Sequence, residues 1–116
     1  MSPPADRWRI RLAQVAQEDL QRTVEWSRER FGDRQSSIYL QVLIDAIAEL
    51  QAGPNPAGVR RRPEIARGMF SLHVTGKGRR GSHVILFRVL RPQERTIDVV
   101  RVLHEAMDLA RHVDQS

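Results

Sequence analysis

The sequence contains no cysteine, one lysine (Lys77) and one tyrosine (Tyr39). Without cysteine there can be no disulfide and no thiolate zinc site, and a reducing compartment is the expected setting. Aromatic residues make up 5% of the chain and apolar residues 41%. That is slightly lean for a globular domain, so a partner is expected to complete part of the core. No apolar run approaches the length of a membrane span, and no basic-then-apolar leader opens the chain. The expectation is therefore a cytoplasmic protein with no membrane role. At 116 residues the chain reads as one domain, 1–116, with residues 1–6 and 113–116 as flexible ends.

What the chain does have is arginine, which supplies nearly all the cations behind a net charge of +5. Such a surface attracts acidic partners, nucleic acid or an acidic protein segment, and composition does not choose between them.

The pattern organises around Ser82 to Leu109. Val84 to Phe87 is apolar at every position, as in a strand covered on both faces. Ile97 to Leu103 is largely β-branched, which suits a packed strand. Arg91 to Arg95 between them has the composition of a hairpin loop. A loop of Pro92 to Glu94 sets Arg91 against Arg95, Arg88 against Asp98, Leu86 against Val100 and Val84 against Val102. The other face then holds Ile85, Phe87, Val89, Ile97, Val99 and Leu103, with Arg101 as the odd member.

Upstream, Trp8 to Leu12 alternates apolar and basic residues, the period of a half-buried strand. Leu20, Val24, Ser27 and Phe31 recur at helical spacing, and Gly32 supplies a stop. A second helix over about 34–51 carries a clean stripe of Tyr39, Val42, Leu43, Ala46, Ile47 and Leu50. The link is short, so the two helices are expected to form an antiparallel hairpin. Residues 57–68 read as a basic connector, Met69 to Val74 as a strand and Thr75 to Gly81 as a loop. The order is β-α-α-β-β-β: an α+β domain with a helical hairpin on one face of a small, mostly antiparallel sheet.

Gly76 to Gly81 matches G-x-G-x-x-G, but the dinucleotide fingerprint needs a helix after it, and a strand follows here. It reads as a hairpin loop, and no cofactor is expected. His104 to Asp108 opens like a zincin motif yet carries Asp where the second His must stand. The histidines 73, 83, 104 and 112 lack ligand spacing, so no metal is expected. Arg60, Arg61 and Arg62 read as a phosphate patch, an acidic-peptide dock or a solvated loop. Arg88 and Arg101 stand inside apolar strands, where an unpartnered guanidinium is costly. Asp98 is the expected partner of Arg88, whereas Arg101 has no evident strand partner and is expected to face a groove. His104 reads as a hydrogen-bonded strand end or as an acid–base group.

Taken together, several stretches resemble the ParE/RelE toxin superfamily. They are Ala16-x-x-Asp19-Leu20, Phe31-Gly32, Tyr39-x-x-x-Leu43, Pro56-x-Gly58, Arg62-Pro63-Glu64-Ile65 and Gly68-x-x-x-Leu72. Ile85 to Val89 and Val100 to Asp108 extend the likeness, which covers about residues 8 to 112. The ending V-L-H-x-x-M-D, with Met107 and Asp108, is similar to the ParE branch. Phe87 departs from it, standing where the family often has tyrosine.

The resemblance implies a RelE/ParE-like fold and the toxin of a bacterial type II toxin–antitoxin pair. That toxin would inhibit DNA gyrase by binding, be neutralised by a ParD-like antitoxin, and touch operator DNA only through that antitoxin. The implied interaction residues are Arg60, Arg61, Arg62, Arg88, Arg101, His104, Met107 and Asp108. The sister RelE branch implies a ribosome-dependent mRNA endonuclease, with Arg88, Arg101 and His104 as its catalytic candidates. A third reading is an inactive module that only binds antitoxin.

Overall fold

The computed structural model describes residues 7–55, 58–75 and 82–104. A strand β1 (Arg9–Leu12) leads into a helical segment α1 (Gln14–Glu49), closed by a single 3-10 turn at Leu50–Ala52. Four strands follow: β2 (Val59–Arg61), β3 (Met69–Thr75), β4 (Ser82–Arg91) and β5 (Thr96–His104). With β1 they form one five-stranded sheet in the order β1-β5-β4-β3-β2. β1 lies parallel to β5, and every other neighbouring pair is antiparallel. The expected α+β architecture is the observed one, with β4 at the centre of the sheet.

α1 is two arms, not one rod. Gly32 leaves helical geometry at φ 85° and ψ 172°, a region that a residue bearing Cβ enters only with strain. At about 1.5 Å rise per residue, Thr23 and Tyr39 would stand roughly 24 Å apart on a straight helix. Both instead reach the same imidazole, that of His83. Ser36 Oγ also donates to the Val24 carbonyl at 2.9 Å, closing the corner between the arms. The helical hairpin read from the sequence is therefore present.

The second arm buries the expected stripe: Tyr39, Leu43 and Ile47 are buried, Leu50 follows them, and Val42 and Ala46 pack alongside. The first arm differs from the expectation. Its buried face is Ala16, Asp19, Thr23 and Ser27, while Phe31 is 53% exposed. A face of small polar groups is tolerated there because each is hydrogen-bonded or small, as the site geometry below makes clear for Asp19 and Thr23.

The principal core fills the space between α1 and the sheet, with Ile85, Phe87, Ile97, Val99 and Val102 meeting Leu43, Ile47 and Leu50. A smaller cluster of Ile65, Ala66, Met69, Val84, Leu86 and Leu103 lies on the other face. Val84 to Phe87 are all buried, as a doubly covered strand requires. β1 alternates as read, with Arg9 and Arg11 exposed and Ile10 and Leu12 half-buried.

Two features correct the sequence reading. The 57–68 connector contains β2, which pairs Val59, Arg60 and Arg61 with Leu72, Ser71 and Phe70. Three residues are too few to show a period, so pairing with β3 defines this strand, not its own pattern. The β4–β5 register also slips. Arg88 does face Asp98, but Leu86 faces Arg101, Val84 faces Leu103 and Arg91 faces Thr96. Val100 is an extra residue between the partners of Phe87 and Leu86, a β-bulge. Beyond the bulge Val102 joins the helix-side core and Leu103 the opposite cluster. That reverses the face expected for Leu103. The loop itself is a single 3-10 turn, Pro92–Glu94, followed by Arg95 at φ 49°.

No heavy atom lies within 4 Å of a Cβ built on Gly32, so Gly32→Ala meets no clash and pays only for its backbone angles. It should lower the unfolding free energy by about 1–3 kcal/mol in urea titrations. An unchanged midpoint would show that the corner is not held at this geometry.

Candidate functional site

The β5 bulge and the first arm of α1 meet at Asp19, whose side chain is 3% exposed. Its Oδ2 accepts from Arg101 Nε at 2.8 Å and from the Val102 backbone N–H at 3.0 Å. Its Oδ1 accepts from Arg101 Nη2 at 2.8 Å and from Arg22 Nη2 at 2.5 Å. Arg101 therefore engages the carboxylate as a two-pronged fork, the strongest form of this pair. Burial alone would raise the Asp19 pKa. The Arg101 and Val102 hydrogen bonds, the Arg101 charge and the Arg22 hydrogen bond outweigh it and hold the carboxyl below its ordinary value.

Beside this pair stands a buried histidine. His83, on β4, takes the Tyr39 hydroxyl at Nδ1 in a short hydrogen bond, and its Nε2 lies 3.5 Å from Thr23 Oγ1. Thr23 donates its own proton to the Asp19 carbonyl at 2.9 Å, so Thr23 Oγ1 is left to accept from Nε2–H. The network thus assigns the neutral Nε2–H tautomer, with Nδ1 accepting from tyrosine. Burial, and then the neighbouring His104, push the His83 pKa from 6.5 down to about 4; Asp19 opposes them only partly. The His104 ring packs edge-on against His83 at 5.3 Å between centroids.

These residues line a cleft of about 640 Å³ whose floor holds Asp19, Thr23, His83 and Arg101. Glu25, Trp26, Glu29 and Arg22 come from the first arm, and Val102, Leu103 and His104 from the end of β5. Trp26 is 39% exposed, with Arg30 stacked 4.5 Å from its ring centroid and Phe31 edge-on.

The sequence-derived candidates do not converge. Arg101 and His104 line the cleft, and the partner of Arg101 is Asp19, on the helix and not on a strand. The strand comparison could not find this pair because its acid lies 82 residues away on another element. Arg88 belongs to the opposite face of the sheet, in register with Met69 of the smaller cluster. Asp98 faces it, yet its carboxylate lies 3.7 Å from Arg11 Nε, and Arg88 Nε is buried without a hydrogen-bond partner. Arg60 and Arg61 are exposed at the β2 edge, and Arg62 bonds Glu64 at 2.6 Å.

Met107 and Asp108, the zincin-like His104 to Asp108 stretch beyond His104, the 76–81 glycine motif and the two proposed flexible ends lie outside the described residues. The glycine motif is nonetheless bracketed by the antiparallel strands β3 and β4. Among the described residues, no group of three or more His, Cys, Asp or Glu side chains could hold a metal ion. No helix among them is long and apolar enough to cross a membrane. Sequence reasoning missed Asp19, Thr23 and His83 as a site. The available signal was the polar spacing Asp19, Thr23, Ser27 on the face that had to be buried.

Comparison with known proteins shows what the chain is similar to. The family model described as ParE toxin of type II toxin-antitoxin system, parDE, matches residues 10–109. Toxin ParE1 of Mycobacterium tuberculosis, from strains CDC 1551 and H37Rv, is 37% identical over 105 residues. That alignment spans 90% of this chain and 97% of the relative. A chain of the chromosomal ParDE system from P. aeruginosa superposes at TM-score 0.65 and 21% identity, covering 85% of this chain and 97% of that one. A chain of the RelBE2 toxin–antitoxin complex from M. tuberculosis superposes at TM-score 0.57 and 22% identity, covering 91% and 100%.

The His83 geometry carries a sign. Its pKa is lowered on folding, so the unfolded chain binds more protons between pH 6.5 and about 4. The contribution is complete above pH 6.5 and is lost as pH falls towards 4. Chemical denaturation across that window should show roughly 3–4 kcal/mol of stability lost, at about 1.4 kcal/mol per pKa unit. His83→Gln should flatten that segment; an identical slope in both proteins would contradict the assignment.

Proposed function

Because this chain belongs to the ParE family of toxins of type II toxin–antitoxin systems, we propose that it inhibits DNA gyrase by binding. On this reading it acts in the cytoplasm, is neutralised by a ParD-like antitoxin and reaches operator DNA only through that antitoxin. The observation that carries the choice of binding over cleavage is the engagement of Arg101 by Asp19.

A metal-free ribonuclease needs a cation left over for the phosphate and a base that can take a proton near neutral pH. Here the cleft's Arg101 guanidinium is already neutralised by a carboxylate, and His83 beneath it is held neutral by burial and the neighbouring His104. Asp19, Glu25 and Glu29 further set three carboxylates around the cleft, which disfavours an RNA backbone. Arg88, the other proposed nuclease cation, belongs to the opposite sheet face.

The antitoxin reading is supported by the exposed apolar side chains of the helical hairpin: Val15, Trp26, Phe31, Ile38 and Ile44. An amphipathic helix laid along these arms would cover them.

Purified protein added to gyrase should abolish supercoiling of relaxed plasmid, and should leave mRNA on translating ribosomes intact. Cleavage at ribosome-bound codons without gyrase inhibition would replace this reading with the nuclease one. Silence in both assays would favour an inactive antitoxin-binding module.

A further inference from the structure

In the cleft at the end of β5 the floor is committed to the fold and the rim is open. Arg101 and Arg22 both donate to Asp19, and Thr23 and Tyr39 engage His83. The rim differs. Glu25, Trp26 and Glu29 line it from neighbouring turns of the first arm, and all three are exposed. Among the described residues, neither Glu25 nor Glu29 has an ion pair or a hydrogen bond. Two carboxylates without a bonded counter-charge thus border the cleft, in a chain whose net charge is +5.

Trp26 is the second, independent element. Phe31 meets its ring edge-on at 6.0 Å between centroids, and the Arg30 guanidinium carbon lies 4.5 Å from its centroid. Arg30 does not line the cleft, so it covers the part of the ring turned away from it. The chain therefore already sets one guanidinium on this indole, the geometry of a cation–π contact. The rest of the ring forms a wall of the cleft, and the half-buried His104 ring forms another. At about 640 Å³ the cleft has the size of a small-molecule site.

We infer that this cleft binds a small organic cation, a guanidinium or amidinium carried on an aromatic body. The body lies against Trp26 and His104, and the positive head reaches Glu25 and Glu29. A planar guanidinium offers a carboxylate two parallel N–H···O bonds, and its face stacks on indole. An anion fits less well, because it would meet both glutamates while the two arginines of the cleft are held by Asp19. The inference shares with the proposed function only the neutralised state of Arg101.

The test titrates benzylguanidine into the full chain carrying Trp8→Phe, which leaves Trp26 as its one indole, and reads tryptophan fluorescence. Quenching should saturate, whereas benzylurea, the neutral isostere, should leave the signal unchanged. Glu25→Gln and Glu29→Gln should each weaken binding about tenfold, and Trp26→Leu, read by calorimetry, by a similar factor. Glu49→Gln, an exposed carboxylate on the second arm, should bind as the parent does. Because the three rim positions are exposed, these variants should keep the parent's melting curve, which separates lost binding from lost folding.

No saturable binding, equal affinity for benzylurea, or unchanged affinity in the Glu25 and Glu29 variants overturns the inference. Tighter binding of phenyl phosphate also overturns it, since the arginines of the cleft would then be available. Gyrase supercoiling is read on the same preparations. Inhibition without benzylguanidine binding overturns this inference alone, and binding without inhibition overturns the gyrase reading alone.

Discussion

The structure depends on one buried ion pair. Asp19 ties the first arm of α1 to the bulge of β5. Removing one member of such a pair leaves a buried, uncompensated charge and costs about 3–5 kcal/mol, a large share of the stability of a small domain. The bulge and the pair lie together: Arg101 follows the extra residue Val100, and the Val102 N–H, brought to the helix side beyond the bulge, donates to the same carboxylate. Once Asp19 is fixed, its own carbonyl holds Thr23, Thr23 meets His83, and His83 meets Tyr39 of the second arm. The Gly32 corner closes the loop of constraints by returning the second arm to that histidine.

This arrangement gives the two sides of the sheet different characters. On the helix side, Arg101 and the polar groups around it, Asp19, Thr23 and His83, are occupied in holding the fold. On the opposite side of the sheet, Arg88 is buried in part and unsatisfied, and Arg60 is exposed. The proposed action by binding fits this division better than one that must keep a cation and a base ready for chemistry. The outer surface of the helical hairpin, with Trp26, Phe31 and Ile38 exposed, adds an apolar face to the basic one.

Much of the fold was legible from local pattern. The period-2 alternation of 8–12, the helical stripe from Tyr39 to Leu50 and the doubly apolar run of Val84 to Phe87 each report a packing environment that a few adjacent residues suffice to encode. The Pro92–Glu94 turn and the Arg88–Asp98 opposition were legible for the same reason. Beyond Arg88 the register was not. A bulge shifts pairing by one residue without leaving a composition signal, and it moved Leu103 to the opposite face. β2 was invisible because three residues show no period. The partner of Arg101 lay on another element, and only the folded chain brings Asp19 to it. The polar spacing of Asp19, Thr23 and Ser27 held the clue, but a search for an apolar stripe favoured Phe31, which the structure leaves exposed.

The central claim is that the Asp19–Arg101 pair holds the fold and takes no part in the toxic action. Replacing both charges with apolar residues, Asp19→Leu with Arg101→Met, separates the two roles, since a buried pair exchanged for packed apolar side chains is often neutral in stability. Growth inhibition on induced expression, measured beside the circular-dichroism melting curve, is the decisive reading. The account predicts a folded double variant that still arrests growth. A double variant that melts like the parent but no longer arrests growth would contradict it, and would return Arg101 to the functional site.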